Sequence, residues 1–211
     1  MIEVERLGRS FNNKKILTNI NFQAHEGEVI CLSGKNGAGK TTLLRILATL
    51  IRPSHGNIRV TDLDLQANQK KLRQHIAFLS ANEQSFFPRL TGIENILLLS
   101  SFYQIEHKFV HEQLTEWKDL LPLEESLRTP FGQCSSGMKQ LVRFAFIMLR
   151  NCKLILLDEP LRGLDPENRL GAIKILKRWH RHGVILFTDH GHPELREVAT
   201  RSFHLQGGEL K

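Results

Sequence analysis

Residues 28–41 read EVICLSGKNGAGKT, an apolar run followed at once by a glycine-rich turn. The apolar run, Glu28–Leu32, is typical of a buried β-strand. The turn, Gly34–Thr41, fits the pattern G-x-x-x-x-G-K-[ST] at every position. The next residues, Thr42–Ile51, predict a helix whose apolar face contains Leu43, Leu44, Ile46, Leu47 and Leu50. A strand, a turn and a helix in this order predict a phosphate-binding loop.

Each part of this loop has a chemical role in holding a triphosphate. Glycines let backbone N–H groups approach phosphate oxygens, and the helix start adds more N–H groups and a partial positive charge. Lys40 supplies a positive charge for the β and γ phosphates, and the Thr41 hydroxyl is placed to bind Mg²⁺. The alternative, a glycine-rich turn with a chance lysine, leaves the flanking strand and helix unexplained. The predicted ATP contacts are Gly34, Asn36, Gly37, Ala38, Gly39, Lys40, Thr41 and Thr42.

A second apolar run ends in two carboxylates. Leu154–Leu157 (LILL) predicts another buried strand, and Asp158 and Glu159 follow it directly. A carboxylate at the end of a strand beside the loop would complete a Mg²⁺ site, so we predict Asp158 as the second metal ligand. Glu159 is placed to orient or deprotonate an attacking water. A simple strand cap is the alternative interpretation of these carboxylates.

The rest of the chain alternates between apolar strands and helices. Between about Thr91 and Leu127 the pattern is helical, and Pro88, Pro122 and Pro130 mark its joints. The other predicted elements are strands at Ile2–Leu7, Ile20–Ala24, Ile58–Thr61, Ile76–Leu79 and Val184–Thr188, helices from Ser135 or Ser136 to about Arg150 and over Pro166–Arg181, and a hairpin at Arg201–Leu210. Buried strands that alternate with helices predict an α/β fold with a mostly parallel sheet.

Composition narrows the classes of function. The chain has 211 residues, with 29 Lys and Arg, 22 Asp and Glu, and three cysteines. The positive charges are scattered and no basic run is interleaved with aromatic residues, so we expect no nucleic-acid partner. The cysteine spacing fits a reducing compartment rather than a disulfide scaffold. The start lacks the apolar core of a signal peptide, and no apolar stretch reaches the ~18–20 residues of a membrane span, so we expect a partner chain to do any spanning.

Four further stretches resemble the ATP-binding cassette (ABC) ATPases. Cys134–Met138 (CSSGM) stands where the family has its signature motif, and Gly163–Pro166 (GLDP) matches the family's D-loop. Thr188–His190 (TDH) matches the switch histidine at the end of a strand. Phe11 stands where the family places an aromatic ring under adenine. With the phosphate loop and Asp158, these stretches occur in the order and spacing of the family.

The resemblance implies a fold and an assembly. The fold is an ABC-type P-loop α/β core with a mostly parallel sheet, an N-terminal antiparallel β-subdomain and an inserted helical subdomain. One cassette would cover residues 1–211, and the helical subdomain would cover residues 84–150. In the family, two cassettes pair head to tail, and each ATP lies between the phosphate loop of one copy and the signature of the other.

The resemblance also implies roles for the remaining site residues. Ser135, Ser136 and Gly137 would meet the γ-phosphate held by the partner copy, and Asp165 would bridge the two sites. His190 would contact the γ-phosphate, while Glu159 would act on the water. Phe11 would contact adenine. The alternatives are an ordinary strand-end histidine at position 190 and a core aromatic at position 11.

Two departures from the family pattern bear on function. The family has a glutamine after the strand read here as Ile76–Leu79, and this glutamine senses the partner domain. Ala81 stands at or near that place, and Asn82, Glu83 and Gln84 follow it. The signature reads S-S-G-M in place of S-G-G-Q. Together with Ser85–Gly92, this signature resembles a group of exporter ATPases that work with separate membrane subunits.

The function implied is therefore an ATP- and Mg²⁺-dependent ATPase that is peripheral on the cytoplasmic face of the cell membrane and powers export through permease subunits. The alternatives are a ribosome- or DNA-associated ABC ATPase, a nucleotide-dependent binding module with little turnover, and the haem-exporter ATPase of cytochrome c maturation. We also hypothesise that Gln84–Asn95 forms a groove for a permease coupling helix. Its apolar residues include Phe86, Phe87 and Leu90.

Overall fold

A computed structural model of the chain describes residues 1–61, 63–65, 67–80, 86–179, 183–189 and 191–211. The chain forms two compact units. The first contains Met1–Phe78, Cys152–Asp158 and His180–Lys211, and the second contains Leu79–Asn151 and Glu159–Trp179. The phosphate loop and Asp158 therefore belong to the first unit, whereas the signature motif and Glu159 belong to the second.

Two β-sheets account for most of the first unit. The strands are β1 (Ile2–Phe11), β2 (Lys14–Ala24), β3 (Val29–Ser33), β4 (His55–Val60), β5 (Leu63–Asp64), β6 (Ile76–Leu79), β7 (Leu154–Leu157), β8 (Val184–Thr188), β9 (Arg201–Gln206) and β10 (Glu209–Leu210). One sheet has the order β2-β1-β4-β5 and is antiparallel. The other has the order β10-β9-β3-β8-β7-β6, with parallel pairing of β3 to β8 and β9 and of β7 to β8. The predicted α/β fold with a mostly parallel sheet and an N-terminal antiparallel sheet is confirmed.

Helix α1 (Lys40–Leu47) connects the phosphate loop to the core of this unit. It buries Leu43, Leu44, Ile46 and Leu47, and one continuous apolar cluster joins these side chains to residues of both sheets. The unit also contains two short helices, α2 (Gln69–His75) and, near the C-terminus, α8 (Pro193–Arg196). The core therefore fixes α1, and α1 fixes the position of the loop at its start.

The predicted extent of the first helix was wrong at its C-terminal end. Helix α1 ends at Leu47 rather than Ile51. Thr49 adopts a positive φ of 63°, a left-handed conformation that stops an α-helix. Leu50 consequently leaves the helical repeat and is 61% exposed instead of joining the apolar face.

The second unit is helical in the described residues. Its helices are α3 (Gly92–Phe102), α4 (His107–Trp117), α5 (Glu124–Arg128), a 3-10 turn (Phe131–Gln133), α6 (Ser136–Leu149) and α7 (Pro166–Trp179). The stretch predicted as helical thus forms three helices. Thr91 begins α3 with a capping box, in which its hydroxyl accepts from the Glu94 backbone and Glu94 accepts from the Thr91 backbone. None of the helices in the residue ranges given above is long and apolar enough to cross a membrane.

Candidate active site

The phosphate loop, Gly34–Gly39, closes against the side chain of Lys40. Lys40 is the first residue of α1 and is only 5% exposed. Its Nζ donates to the carbonyl oxygens of Gly34 at 2.7 Å and Lys35 at 3.2 Å. The backbone N–H of Ala38 donates to the same Lys35 carbonyl at 3.1 Å. The ammonium group is therefore held in place by the loop that would surround a phosphate.

Two glycines show why the loop needs this sequence. Gly34 has a φ of 145°, and a Cβ there would lie 2.4 Å from the carbonyl oxygen of Leu205. Gly37 has a φ of 78°, and a Cβ there would meet no atom within 4 Å. The backbone is thus tightly packed at Gly34 and open at Gly37. An open side beside a left-handed glycine is where backbone N–H groups can face an anion.

A hydrogen-bonded triad lies behind the loop at the carboxyl ends of the parallel strands. Asp158 follows β7 and is buried. Its Oδ2 accepts from the Thr41 hydroxyl at 2.9 Å, and its Oδ1 accepts from the Thr188 hydroxyl at 2.9 Å. The carboxyl ends of parallel strands lie at one edge of the sheet. This explains why Thr41 and Thr188, which are separated from Asp158 by 117 and 30 positions in the sequence, both contact it there. The structure therefore brings both predicted metal ligands together.

These residues fit a magnesium nucleotide. Mg²⁺ prefers hard oxygen ligands and usually takes only one or two from the protein, with phosphates and waters completing an octahedron. The hydroxyl of Thr41 and the carboxylate of Asp158 are ligands of this kind. Lys40 and the open loop at Gly37 provide the positive charge and the N–H groups that phosphates need. Asn36 is exposed in the same loop, and Thr42 is half-buried in the first turn of α1.

Phe11 lies at the end of β1, where it is accessible. The side chain is 40% exposed, so the alternative of a core aromatic is wrong. The guanidinium of Arg9 lies over the ring at 4.2 Å from its centroid. A ring backed by a cation on one face keeps its other face for a flat partner, as an adenine contact would require.

The signature motif begins a helix in the second unit. Ser135 is the N-cap of α6, and its hydroxyl accepts from the Met138 backbone at 3.2 Å, which confirms the capping predicted from sequence. Ser136 is exposed at the first turn. A Cβ on Gly137 would lie 2.9 Å from the carbonyl oxygen of Gly163 in the predicted D-loop, so only glycine fits there without a backbone shift. The first turn of α6 therefore exposes Ser136, while the N–H of Met138 is satisfied by Ser135.

The second unit also holds the predicted catalytic glutamate. Glu159 has a φ of 54°, an uncommon conformation for a residue with a side chain. Its Oε2 lies 3.4 Å from Nη1 of Arg162 in an ion pair. Just beyond it, the side-chain amide of the buried Gln140 donates to the Pro160 carbonyl at 2.8 Å. The Gln140 contact attaches the turn that contains Glu159 to helix α6.

Asp165 makes only local contacts in this unit. Its Oδ1 accepts from the Asn168 backbone at 2.9 Å, and its other oxygen accepts from the Asn168 amide. The backbone hydrogen bond from Asn168 is the main reason why the pKa of Asp165 is lowered. The carboxylate therefore caps α7, and its proposed role between two copies is an addition to this local one.

Two sets of predicted functional residues lie outside the described residues. His190 is the first of them. The second is the segment from Ala81 to Gln84, in which we looked for a replacement of the sensing glutamine. Their roles stay predictions.

Comparison with known protein families shows to which family the chain belongs. The family profile described as ABC transporter matches residues 17–162, which include the phosphate loop, the signature motif and Asp158. The chain belongs to this family. It is an ATP-binding subunit with the ATPase fold of an ABC cassette, and ATP hydrolysis is its enzymatic activity.

Individual ABC proteins are similar over the whole length of this cassette. The arginine transport ATP-binding protein ArtM of Bacillus subtilis is 32% identical, and the match covers 100% of this chain and 89% of ArtM. The lipopolysaccharide export system ATP-binding protein LptB of Haemophilus influenzae is 30% identical over 100% of this chain and 88% of LptB. The cassette thus resembles proteins named for different kinds of transport.

Solved ABC structures share the fold of this cassette. An ATP-binding subunit of an ABC transporter superposes with a TM-score of 0.91 at 25% identity, covering 100% of this chain and 88% of that one. The ATP-binding cassette MJ0796, determined as a dimer in a post-hydrolysis state with ADP and Pi, has a TM-score of 0.85 at 23% identity, covering 100% and 97%.

Three polar residues of the cassette were not predicted as site residues. Thr188 was quoted only as part of the T-D-H match, yet it shares Asp158 with Thr41. Arg162 pairs with Glu159, and Arg196 pairs with the buried Asp189. The i, i+3 spacing of Glu159 and Arg162 was the one sequence signal available. The contacts of Thr188 and Arg196 depend on how strands β7 and β8 pair and where α8 lies.

Proposed function

We propose that this cassette binds ATP with Mg²⁺ and hydrolyses it in sites shared by two copies, and that hydrolysis powers export through separate membrane subunits. The observation that carries the proposal is the hydrogen bond from Thr41 to Asp158, together with the buried Lys40 that the open phosphate loop holds through its carbonyls. Exposed Ser136 at the start of α6 is a second phosphate-binding surface, and it needs a nucleotide held by another copy.

The proposed chemistry gives each residue a separate task. Lys40 and the loop N–H groups bind the phosphates, and Thr41 and Asp158 hold the metal. A bound Mg²⁺ would neutralise phosphate charge during transfer to water. Glu159 accepts a proton from the attacking water, and His190 contacts the γ-phosphate. Phe11 supports adenine, and the partner copy contributes Ser135, Ser136, Gly137 and Asp165.

A mixing experiment tests whether the site is shared. Lys40→Ala removes the phosphate-binding lysine, and Ser136→Asp places a negative charge where the partner's γ-phosphate would lie. Each variant alone should be inactive. In a mixed dimer, one site combines both changes and the other is intact, so an equimolar mixture should recover about a quarter of wild-type ATP turnover if pairing is random and the sites act independently.

The readout is steady-state phosphate release from each variant and from the mixture at equal total protein. Ser136 is exposed at the first turn of α6, where an aspartate favours the helix, so the variant should stay folded. Wild-type turnover by Ser136→Asp alone would contradict a shared site. An inactive mixture in which mixed dimers are detected would contradict it as well.

The apolar surface proposed to contact the permease has fewer exposed residues than the sequence predicted. Phe86 is buried, with its ring stacked on Phe131 at 4.9 Å, and Leu90 is half-buried. Phe87 is 48% exposed. Buried Asn95 accepts from the Phe87 backbone N–H at 2.7 Å and donates to the Phe87 carbonyl at 3.0 Å. Phe87 is thus a preordered apolar anchor on an exposed turn, a form suited to a partner's apolar pocket.

Charging this anchor should separate the cassette from its membrane partner. We expect Phe87→Asp to abolish co-purification with the integral membrane protein that wild type retains from detergent-solubilised membranes, while ATP affinity stays within about twofold. Leu170→Asp is the matched control, because Leu170 is 54% exposed on α7 of the same unit. Equal retention of the membrane protein by Phe87→Asp and Leu170→Asp would show that Phe87 is not the contact.

Export is proposed as the direction of transport. It rests on the S-S-G-M signature and the Ser85–Gly92 segment, and the similarity to LptB agrees with it. With such a membrane partner, the cassette would be peripheral on the cytoplasmic face of the cell membrane. Transport of substrate by the reconstituted complex, measured with ATP on one side of the vesicle, would test the direction.

A further inference from the structure

An ion pair between the buried Asp189 and the exposed Arg196 lies directly beyond strand β8. The Asp189 side chain is fully buried, and its Oδ2 lies 2.5 Å from Nε of Arg196, the last residue of α8. The other carboxylate oxygen of Asp189 accepts the backbone N–H of His192 at 2.8 Å. One carboxylate therefore contacts both α8, through Arg196, and the backbone N–H of His192.

The buried carboxylate of Asp189 lies in surroundings that disfavour an unpaired charge. Cys31 on the neighbouring strand β3 is buried, and its pKa is raised to about 11, first by burial and then by the charge of Asp189. The hydrogen bond to Asp189 likewise raises the pKa of Arg196. A carboxylate charge in such an environment is tolerated only with a well-placed counter-ion and further hydrogen bonds. Arg196 supplies the counter-ion and His192 supplies a hydrogen bond.

The last residue of β8 also contacts the predicted metal site. Thr188, the residue before Asp189, donates to Asp158 at 2.9 Å. In the sequence, position 190 directly follows Thr188 and Asp189, whose side chains contact Asp158 and Arg196. Neither Arg196 nor Asp189 needs to touch a nucleotide to influence where this segment lies.

We propose that Arg196 is a positioning residue for ATP hydrolysis, which acts through its ion pair with Asp189, the residue that precedes His190 in the sequence. This inference rests on the proposed function, in which His190 contacts the γ-phosphate. It assigns to α8, a four-residue helix, the task of holding Asp189 in place directly after Thr188, which donates to Asp158.

The test compares substitutions that keep or remove the charge. Arg196→Gln should lower kcat by about 10-fold or more, because small displacements of a catalytic group have large effects on rate. Its KM for ATP and its affinity for a non-hydrolysable ATP analogue should stay within about twofold of wild type. Arg196→Lys should restore part of kcat. Asp189→Asn, which keeps an acceptor for the His192 N–H but loses the charge, should show an intermediate loss.

Arg201→Gln is the control for loss of a positive charge in the same unit. Arg201 lies on β9, donates to the Gln23 carbonyl at 2.8 Å and belongs to none of the site motifs. We expect its kcat to match wild type. All variants are assayed below their measured thermal midpoints, so that a fold defect is seen separately. An Arg196→Lys variant that folds but is no more active than Arg196→Gln would overturn the inference.

A double variant separates this inference from the proposed function. If Arg196 acts through His190, then Arg196→Gln should cause no further loss of kcat in a His190→Ala background. A multiplicative further loss would show that Arg196 acts elsewhere. If His190→Ala alone keeps wild-type turnover, the proposed role of His190 fails. If His190→Ala is inactive while Arg196→Gln turns over normally, the role of Arg196 fails and that of His190 stands.

Discussion

Lys40→Ala is expected to weaken ATP binding on the order of 100-fold, which corresponds to about 3 kcal/mol. The ammonium group of Lys40 is buried against the phosphate loop, so its hydrogen bonds to phosphate oxygens would be charge-assisted and shielded from water. Alanine removes these bonds and also the contacts to the Gly34 and Lys35 carbonyls that shape the loop. Isothermal titration with ATP and Mg²⁺ measures the change.

Lys35→Ala is the matched control, since it removes a positive charge from the same loop. The Lys35 side chain is exposed, and only its backbone carbonyl contacts Lys40. Its affinity for ATP should stay within about threefold of wild type, as expected for an exposed charge. Equal affinities for wild type and Lys40→Ala would refute the phosphate-loop assignment, whereas equal losses in both variants would mean that net charge, not the position of Lys40, governs binding.

Strands were predicted best where the chain is buried on both faces. Ile76–Leu79, Leu154–Leu157 and Val184–Thr188 were predicted with the bounds that the structure has. Such strands are continuous apolar runs between polar residues, and the parallel sheet requires this pattern. Helix α2 was not predicted, because Leu72 is its only buried residue and it has no apolar face to detect. The end of α1 was missed because the backbone conformation of Thr49 has no sequence signal.

The site was predictable where a motif fixes residues close in sequence. The phosphate loop and the cap at Ser135 follow from local spacing, and the structure places both as expected. The link between Thr41, Asp158 and Thr188 required the strand order, since each residue lies on a different element. The pair of Asp189 and Arg196 was not predicted because its members do not lie on one helix, so no helical spacing relates them. The residues proposed to bind the nucleotide are therefore recognised by local motifs. The contacts that hold them in place join residues far apart in the sequence.

For Glu159, the sequence predicted the identity of the residue but not its conformation. Its identity was predicted from its place after Asp158. Its left-handed backbone and its contact with Arg162 appear only in the structure. Backbone conformations of this kind cost free energy and persist where the surroundings determine them, often at functional sites. The Gln140 contact to the Pro160 carbonyl provides such a constraint on the next residue. The chain thus holds one carboxylate in a direction that an ordinary helix or strand would not allow.

Glu159→Gln should therefore lower kcat by about 100-fold or more while ATP affinity is retained, because glutamine has the same shape but cannot accept the proton of the attacking water. Single-turnover hydrolysis and equilibrium ATP binding measure the two quantities separately. Since hydrolysis is what loosens the proposed dimer, this variant should also accumulate as a dimer with ATP during gel filtration. Glu167→Gln, which changes an exposed carboxylate in the first turn of α7, is the control and should keep wild-type turnover.

The combination of results is more informative than the rate alone. Loss of turnover with a stable ATP-bound dimer places Glu159 in the chemical step, after nucleotide binding and pairing. Loss of turnover without dimer formation would instead assign it to assembly. Turnover equal to wild type would exclude Glu159 as the base. A group other than Glu159 would then have to accept the proton, and the ion pair of Glu159 with Arg162 would be a structural contact of this turn.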